Sequence, residues 1–261
     1  MPAIDAQLVA GDLALIRDAA RQAGLIALGF FNQSPEVWMK GGTSPVSEAD
    51  YAVDRYLREA LTAARPGYGW LSEETADSAE RLCLRRTFVV DPIDGTRAFL
   101  AGQKAWALSL AVVEAGRPIA AVVHLPALGQ TYAAAVGEGA TLDGAPIRVG
   151  GDLDGRPRVL AAGSALDPGF WPGGPPAVER HFRPSIAYRL CLVAEGRFDA
   201  TFSFRDTWEW DVAAGDLIAC EAGAVVTTRA GIPPAYNRPD PRLSGILVAP
   251  PAVHAALVAR L

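Results

Sequence analysis

The feature that most restricts the fold of this 261-residue chain is an acidic turn at residues 91–96, Asp-Pro-Ile-Asp-Gly-Thr. It follows the apolar run 87–90, so the sequence predicts a buried strand with carboxylates at its C-terminal end. The proline fixes one φ angle, and the glycine permits a tight turn. Residues 96–100 suit a short helix whose free N–H groups would face an anion. The alternative is a turn in which Asp91 and Asp94 only cap that helix.

Two further acidic segments occupy similar positions in the predicted elements. Glu73 and Glu74 follow a short apolar run at 69–72, and because adjacent strand residues point to opposite faces, at most one of them would face a site. Asp211 lies near the start of an apolar helix predicted at about 208–221. Taken singly, a solvated loop explains the glutamates, and helix capping explains Asp211. Taken together, the three segments predict one site of oxygen ligands, the kind that Mg²⁺ prefers.

The composition limits which binding partners and which cellular compartment are expected. The formal net charge of −5 argues against a nucleic-acid polymer, although metal ions can still make an acidic pocket bind a small phosphorylated metabolite. The scattered Cys83, Cys191 and Cys220 match neither a disulfide framework nor a zinc site, and they are interpreted as buried small hydrophobes in a reducing compartment. No long apolar run and no leader-like N-terminus is seen, so we expect no membrane partner and a cytoplasmic location.

The order of predicted elements indicates two parts that form one compact unit and share one site. Residues 1–155 would be an α+β part that carries most metal ligands, and residues 156–261 an α/β part that carries Asp211 and the substrate-binding residues. The glycine-rich segment 150–157 is the predicted boundary. The predicted elements are helices at 13–30, 47–64, 185–195 and 208–221, a loop at 40–45, an antiparallel meander at 106–113, 118–125 and 130–136, and strands at 158–163, 198–203, 225–227 and 245–249.

Four segments, 40–50, 72–74, 91–96 and 210–215, resemble in content and order the inositol monophosphatase superfamily of magnesium-dependent, lithium-sensitive phosphatases. The sequences Asp-Pro-Ile-Asp-Gly-Thr and Trp-Asp-Val-Ala-Ala-Gly carry most of this resemblance. It implies a mixed α/β (α+β) fold, namely a layered α/β/α/β/α sandwich. It also implies a Mg²⁺-dependent phosphomonoesterase and favours a homodimer.

The resemblance assigns metal ligands residue by residue. Glu73, Asp91 and the backbone carbonyl of Ile93 would hold one Mg²⁺ ion. Asp91, Asp94 and Asp211 would hold a second, with Asp91 bridging the two, and a third, weaker ion would bind through Glu73 and waters. Two such ions about 3.5–4 Å apart can stabilise both the attacking and the leaving oxygens of an in-line displacement.

The same resemblance assigns catalytic and phosphate-binding roles. Asp50 would pair with Thr96, and this pair, with Glu73 nearby, would orient and deprotonate the attacking water. The N–H groups of Gly95 and Thr96 would receive the phosphate. Asp94 and Asp211 would contact the substrate as well as the metal. No nucleophilic side chain is needed, because positioning and charge neutralisation suffice for phosphoryl transfer.

Substrate choice depends on residues outside these segments. In inositol monophosphatases a glutamate that binds polyol hydroxyls stands six residues before the Trp-Asp pair, where this chain has Phe204. Residues 188–196 instead resemble bacterial 3′(2′),5′-bisphosphate nucleotidases, and Arg189 occupies the place of their phosphate-binding lysine. Arg205 would meet a second phosphate, and Ser164 stands where those enzymes often have a histidine. The remaining candidates, as surfaces for base stacking, are Tyr188 and Trp208.

Plain structural roles remain as alternatives at these four positions: surface ion pairs for the arginines and packing for the aromatics. The favoured function is hydrolysis of 3′-phosphoadenosine 5′-phosphate to AMP. Inositol-1-monophosphatase and histidinol-phosphatase are alternatives within the superfamily. A non-catalytic phosphate-binding regulatory relative and a sugar-phosphate-binding module are alternatives of another class. A regulatory relative would be expected to have lost a metal ligand or the threonine of the acidic turn. A sugar-phosphate-binding module would not need the four carboxylates of Glu73, Asp91, Asp94 and Asp211 together.

Overall fold

The computed structural model describes residues 5–41, 44–150 and 155–261. The chain begins with two amphipathic helices, α1 (Ala6–Phe30) and α2 (Glu48–Ala64), which pack against each other. Between them β1 (Val37–Lys40) and β2 (Ser44–Ser47) form an antiparallel hairpin. The prediction of a loop at 40–45 is therefore wrong at both ends, because Lys40 pairs with Ser44, and Met39 with Pro45, in this hairpin. Gly42 and Thr43 lie outside the described residues.

A seven-stranded sheet follows, with its strands in chain order. The first two strands are parallel and the others are antiparallel, so the predicted meander is confirmed. A short helix, α3 (Thr96–Leu100), follows β4 and opens on Gly95. The strands are β3 (Gly69–Ser72), β4 (Arg86–Asp94), β5 (Ala107–Glu114), β6 (Arg117–Leu125), β7 (Gln130–Ala135), β8 (Ala140–Leu142) and β9 (Ala145–Ile147).

Alternate residues of this sheet belong to two different cores. Phe88 and Val90 pack with α1 and α2, whereas Val89 between them packs toward the helices on the other face. Side chains of a strand point alternately to opposite faces, and here both faces are covered. This explains why the strands read as continuous apolar runs in the sequence.

Residues 155–261 form a five-stranded sheet, a two-stranded ribbon and three α-helices. The five strands lie in the order β11, β10, β12, β16, β14, and the ribbon pairs β13 with β15. The elements are β10 (Arg158–Leu160), β11 (Glu179–His181), α4 (Ile186–Ala194), β12 (Ala200–Ser203), β13 (Thr207–Trp208), α5 (Glu209–Glu221), β14 (Val225–Thr227), β15 (Arg242–Leu243), β16 (Ile246–Ala249) and α6 (Pro251–Val258).

These elements stack in five layers. Helices α1 and α2 cover one face of the seven-stranded sheet, and α4 and α5 cover the other. The five-stranded sheet packs on α4 and α5, and α6 closes its far face. The layered α/β/α/β/α arrangement expected from the sequence is confirmed. The boundary at 150–157 stays a prediction, and residues 151–154 of it lie outside the described residues.

The interpretation of the cysteines as buried is wrong for two of the three. Cys191 is buried in α4, but Cys83 and Cys220 are exposed. Cys83 ends a short 3-10 helix at the surface, and Cys220 lies in the last turn of α5. Leu82 and Leu84, which flank Cys83, are exposed as well, whereas Ala219 beside Cys220 is fully buried. Within the described ranges, none of the helices combines the length and apolar character that crossing a bilayer requires.

Candidate active site

Three carboxylates meet at the C-terminal end of β4. Oxygens of Asp91, Asp94 and Asp211 all lie within 4.8 Å of one another. Residues three apart in a regular strand point to opposite faces, but the register of β4 against β5 shifts between Asp91 and Asp94. This irregularity lets both aspartates reach one cluster. We call these three side chains the carboxylate cluster.

Two hydroxyl groups bring distant segments to this cluster. Ser109 pairs with Asp91 across the sheet, and its Oγ donates to the carbonyl of Trp210 at 3.0 Å, which places the start of α5 and thus Asp211 beside Asp91. Ser185, the N-cap of α4, donates to Asp94 Oδ2 at 2.6 Å. Neither serine was among the site residues predicted from the sequence, although Ser185 before an apolar helix is a recognisable capping signal.

The two adjacent glutamates after β3 have different environments. Glu73 lines the same cavity as the carboxylate cluster. Glu74 forms an ion pair with Lys40 of the β1–β2 hairpin, and Lys40 also donates to the backbone carbonyl of Glu73 at 3.2 Å. The expectation that only one glutamate can face a site agrees with this arrangement. Lys40 fixes the segment that carries Glu73.

Asp50 and Thr96 lie together beside the cluster. Thr96 Oγ1 is 3.1 Å from Asp50 Oδ1 and 3.1 Å from the carbonyl oxygen of Ile93. The other oxygen of Asp50 accepts hydrogen bonds from the N–H and the hydroxyl of Ser47 at the start of α2. Asp50 therefore holds the helix with one oxygen and meets Thr96 with the other. Thr96 lines the cavity, and Asp50 lies behind it.

Burial and mutual repulsion raise the pKa of the acidic groups. Burial is the largest cause for Asp91, Asp94 and Asp211, and neighbouring negative charges raise the pKa of Asp91 and Asp211 further. Burial and Glu74 raise the pKa of Glu73 to about 7. Among the described residues, no lysine or arginine forms an ion pair with the cluster. A dense set of carboxylate oxygens without a cationic partner suits hard divalent cations such as Mg²⁺, because their positive charge favours the ionised carboxylates.

We expect Asp91→Asn to stabilise the metal-free protein. A carboxyl whose pKa is higher in the folded state than in the unfolded chain binds its proton first when folded, so stability falls as pH rises between the two values. For Glu73 that interval ends at about 7. The amide removes one negative charge and can still accept from the N–H of Ile93, which bonds Asp91 at 3.0 Å. In EDTA at pH 7.5, Tm should rise by at least about 2 °C.

The same variant should lose most of the rise in Tm that Mg²⁺ gives the wild type. Lowering the pH from 7.5 to 5.5 in EDTA should raise the wild-type Tm more than that of the variant, because fewer repelling charges remain in the variant. Calorimetric scans with and without Mg²⁺ measure both effects. A metal-free variant that melts below the wild type would contradict the repulsion argument.

One cavity of about 440 Å³ brings together ten of the eleven residues predicted to act in catalysis, metal binding or phosphate binding. Asp50, behind Thr96, is the eleventh. Arg189 is buried at the cavity wall, where its guanidinium donates to the carbonyls of Arg183 and Pro184 and stacks on the ring of Phe182 at 4.6 Å. The ten lining residues are Glu73, Asp91, Ile93, Asp94, Gly95, Thr96, Ser164, Arg189, Arg205 and Asp211.

The aromatic residues at this cavity differ from those expected. Tyr188 is buried, with its ring 6.4 Å from that of Tyr132, so it offers no stacking surface. Trp208 stacks on Trp210 at 4.8 Å and does not line the cavity. Phe182, which the sequence analysis missed, lines it and is 49% exposed. Its position after the short edge strand β11 gives no local sequence signal.

Comparison with known proteins identifies the family. The model of the inositol monophosphatase family matches residues 12–261. The 3′(2′),5′-bisphosphate nucleotidase CysQ of Aggregatibacter actinomycetemcomitans is 32% identical over 230 residues, 85% of this chain and 86% of the relative. An inositol-1-monophosphatase of Rhizobium meliloti (strain 1021) is 38% identical over 216 residues, 76% of this chain and 77% of the relative.

The solved structures agree with this result. The IMPase of Thermotoga maritima superposes with a TM-score of 0.83 at 26% identity, over 95% of this chain and 96% of that one. The family match spans nearly the whole chain and includes every segment that builds the carboxylate cluster. The chain therefore belongs to the inositol monophosphatase family and is a phosphoric monoester hydrolase.

Proposed function

We propose that this phosphatase hydrolyses 3′(2′),5′-bisphosphate nucleotides in the cytoplasm, converting 3′-phosphoadenosine 5′-phosphate to AMP. The observation that carries the proposal is that Arg189 and Arg205 line the same cavity as the carboxylate cluster. Neither arginine forms an ion pair within the described part of the chain. A site that cleaves one phosphate and has these two guanidinium groups beside it can hold a second phosphate. The relative CysQ is named as a nucleotidase for such a substrate.

The position of Phe204 supports this choice over a polyol phosphate. Phe204 is 5% exposed, and its ring packs against Trp171 and Phe202 at 5.1 and 5.3 Å in the core between the five-stranded sheet and α6. It therefore offers no acceptor to a substrate hydroxyl, whereas the resemblance to inositol monophosphatases called for a carboxylate at this position. The named inositol-1-monophosphatase and histidinol-phosphatase activities of relatives stay as the alternatives.

We assign Mg²⁺ to the carboxylate cluster, with Glu73 and the carbonyl of Ile93 as further ligands for two or three ions. Every candidate ligand is an oxygen, and several are buried carboxylates, which is the donor set of a hard cation. Bound Mg²⁺ would supply charge neutralisation and a lowered pKa of coordinated water. The protein's own contribution is to hold the phosphate and to move a proton.

Thr96 and Asp50 would take the proton of the attacking water. A hydroxyl has one proton, so when Thr96 donates it to Asp50 the oxygen keeps its lone pairs for the water. Burial raises the pKa of Asp50, whereas hydrogen bonds from Ser47 and Thr96 lower it. A carboxylate with a raised pKa is a better proton acceptor. The first N–H groups of α3 lack partners within the helix and would bind the phosphate at Gly95 and Thr96.

Release of inorganic phosphate from four substrates tests the proposal. The substrates are 3′-phosphoadenosine 5′-phosphate, inositol 1-phosphate, histidinol phosphate and fructose 1,6-bisphosphate, each assayed with and without Mg²⁺. We expect the highest kcat/KM with the bisphosphate nucleotide. A higher value with inositol 1-phosphate would reject the nucleotidase assignment but leave the phosphatase intact.

Two ions act as controls in the same assay. Ca²⁺ is larger and tolerates irregular coordination, so it should bind without supporting fast turnover. Li⁺ added to the Mg²⁺ enzyme should inhibit, as the family resemblance implies. Full activity with Ca²⁺ in place of Mg²⁺ would reject the assignment of Mg²⁺. The homodimer expected from the resemblance stays a prediction, which sedimentation of the same preparation would test.

A further inference from the structure

A second cavity of about 460 Å³ lies at the other end of α5 from the carboxylate cluster. Asp211 is in the first turn of this helix and Cys220 in the last, and nine residues at about 1.5 Å each separate them by roughly 14 Å along the axis. The β5–β6 hairpin, the end of β7 and strand β14 complete the walls. We call it the distal cavity.

The walls of the distal cavity are mainly apolar and already in place. Ile119, Leu217 and Val226 form its buried floor, and Val136 stands at its edge, 38% exposed. Tyr236 ties the loop that closes one side, since its N–H donates to the carbonyl of Gly116 at 3.0 Å and its hydroxyl to Asp216 at 2.6 Å. A preformed apolar cavity of several hundred cubic ångströms is the usual form of a small-molecule site.

The three acids that line the distal cavity are all engaged by the protein. Glu114 binds Arg85 and Arg86. Asp216 accepts from the hydroxyl of Tyr236 and from the thiol of Cys220, one at each oxygen. Both oxygens of the third, Glu221, accept backbone N–H groups from the turn after β7, at 2.8 and 2.9 Å.

Arg117 is the remaining charged side chain among the described residues that line the distal cavity, and it has no such partner. It is exposed at the start of β6 and forms no hydrogen bond or ion pair from its side chain within the described residues. Its attraction to Asp216 acts at longer range than a hydrogen bond. A guanidinium beside an apolar floor matches a ligand that has an anionic group joined to an apolar body.

We propose that the distal cavity is a second ligand site, for a small organic anion with an apolar aromatic or aliphatic body. The apolar body lies on Ile119, Leu217 and Val226, and the carboxylate or sulfonate binds Arg117. This site is separate from the phosphatase reaction, because none of its lining residues lines the cavity of the carboxylate cluster.

Fluorescence titration of the full-length Mg²⁺-loaded protein with 8-anilinonaphthalene-1-sulfonate tests the proposal. The wild type should show one saturable site. Arg117→Ala should weaken binding about tenfold or more, the loss expected for a charge-assisted hydrogen bond. The matched control is Arg148→Ala, which removes an exposed arginine that lines neither cavity and should leave the affinity unchanged.

A neutral probe and a blocking variant distinguish binding through the anionic group from binding through the apolar body. Competition with inorganic phosphate tests whether the probe binds in the catalytic cavity instead. The neutral analogue N-phenyl-1-naphthylamine should bind the wild type and Arg117→Ala equally. Val136→Trp should block the edge of the distal cavity and weaken both probes. Equal sulfonate affinity in wild type, Arg117→Ala and Val136→Trp would overturn the proposal, and so would displacement of the sulfonate by inorganic phosphate.

Discussion

Asp91→Asn should lower kcat by at least about ten-thousandfold with Mg²⁺ saturating, which corresponds to about 5.5 kcal/mol of activation free energy. Asp91 is 1% exposed, and its oxygens lie within 4.8 Å of those of both other members of the carboxylate cluster. From the family resemblance we propose that Asp91 is the ligand shared by two cations. An amide is neutral and cannot replace the charge. Phosphate release under single-turnover conditions measures the loss without interference from product dissociation.

Asp50→Asn is the matched control, since it also exchanges a buried carboxylate for an amide. Asp50 lies outside the carboxylate cluster, so the variant should keep the rise in Tm that Mg²⁺ gives. Its activity should fall by about a hundredfold, the usual scale of a lost general base. If Asp91→Asn turns over at a near-normal rate, the metal assignment is wrong. The higher Tm expected for Asp91→Asn in EDTA shows whether lost activity comes from lost chemistry or from lost folding.

The parts of the site that the sequence predicts are those encoded by local chemistry. The apolar run before Asp91, the turn residues after it and the helix at Asp211 are each visible within about ten residues. The layered fold follows because the order of these elements matches a known family. The placement of Glu73 in the cavity likewise agrees with simple strand alternation.

The parts that could not be predicted depend on contacts between distant segments or on irregular backbone. Regular alternation would place Asp91 and Asp94 on opposite faces, and only the shifted register corrects this. Ser109 reaches Trp210 across 101 positions of sequence, which no local pattern encodes. The sequence predicts Tyr188 as a stacking surface, but its helix turns the ring into the core, where Tyr132 covers it.

Arg189→Ala should lower kcat/KM for 3′-phosphoadenosine 5′-phosphate by about ten- to a hundredfold, because a charge-assisted hydrogen bond to the uncleaved phosphate is lost. Inositol 1-phosphate, which has no second phosphate, should be hydrolysed almost as before. The guanidinium of Arg189 is held by the carbonyls of Arg183 and Pro184 and by the ring of Phe182, so it meets the substrate in a fixed position. Parallel assays of both substrates measure the difference.

Arg183→Ala is the control for this prediction, because it removes a neighbouring charge that does not line the cavity while keeping the carbonyl to which Arg189 donates. It should leave both substrates unaffected. Arg189→Lys keeps the charge but loses the planar group that stacks on Phe182, so its effect should be intermediate. If Arg189→Ala slows both substrates equally, Arg189 only supports the cavity wall and the nucleotidase assignment fails. A loss confined to the bisphosphate would place the uncleaved phosphate at Arg189.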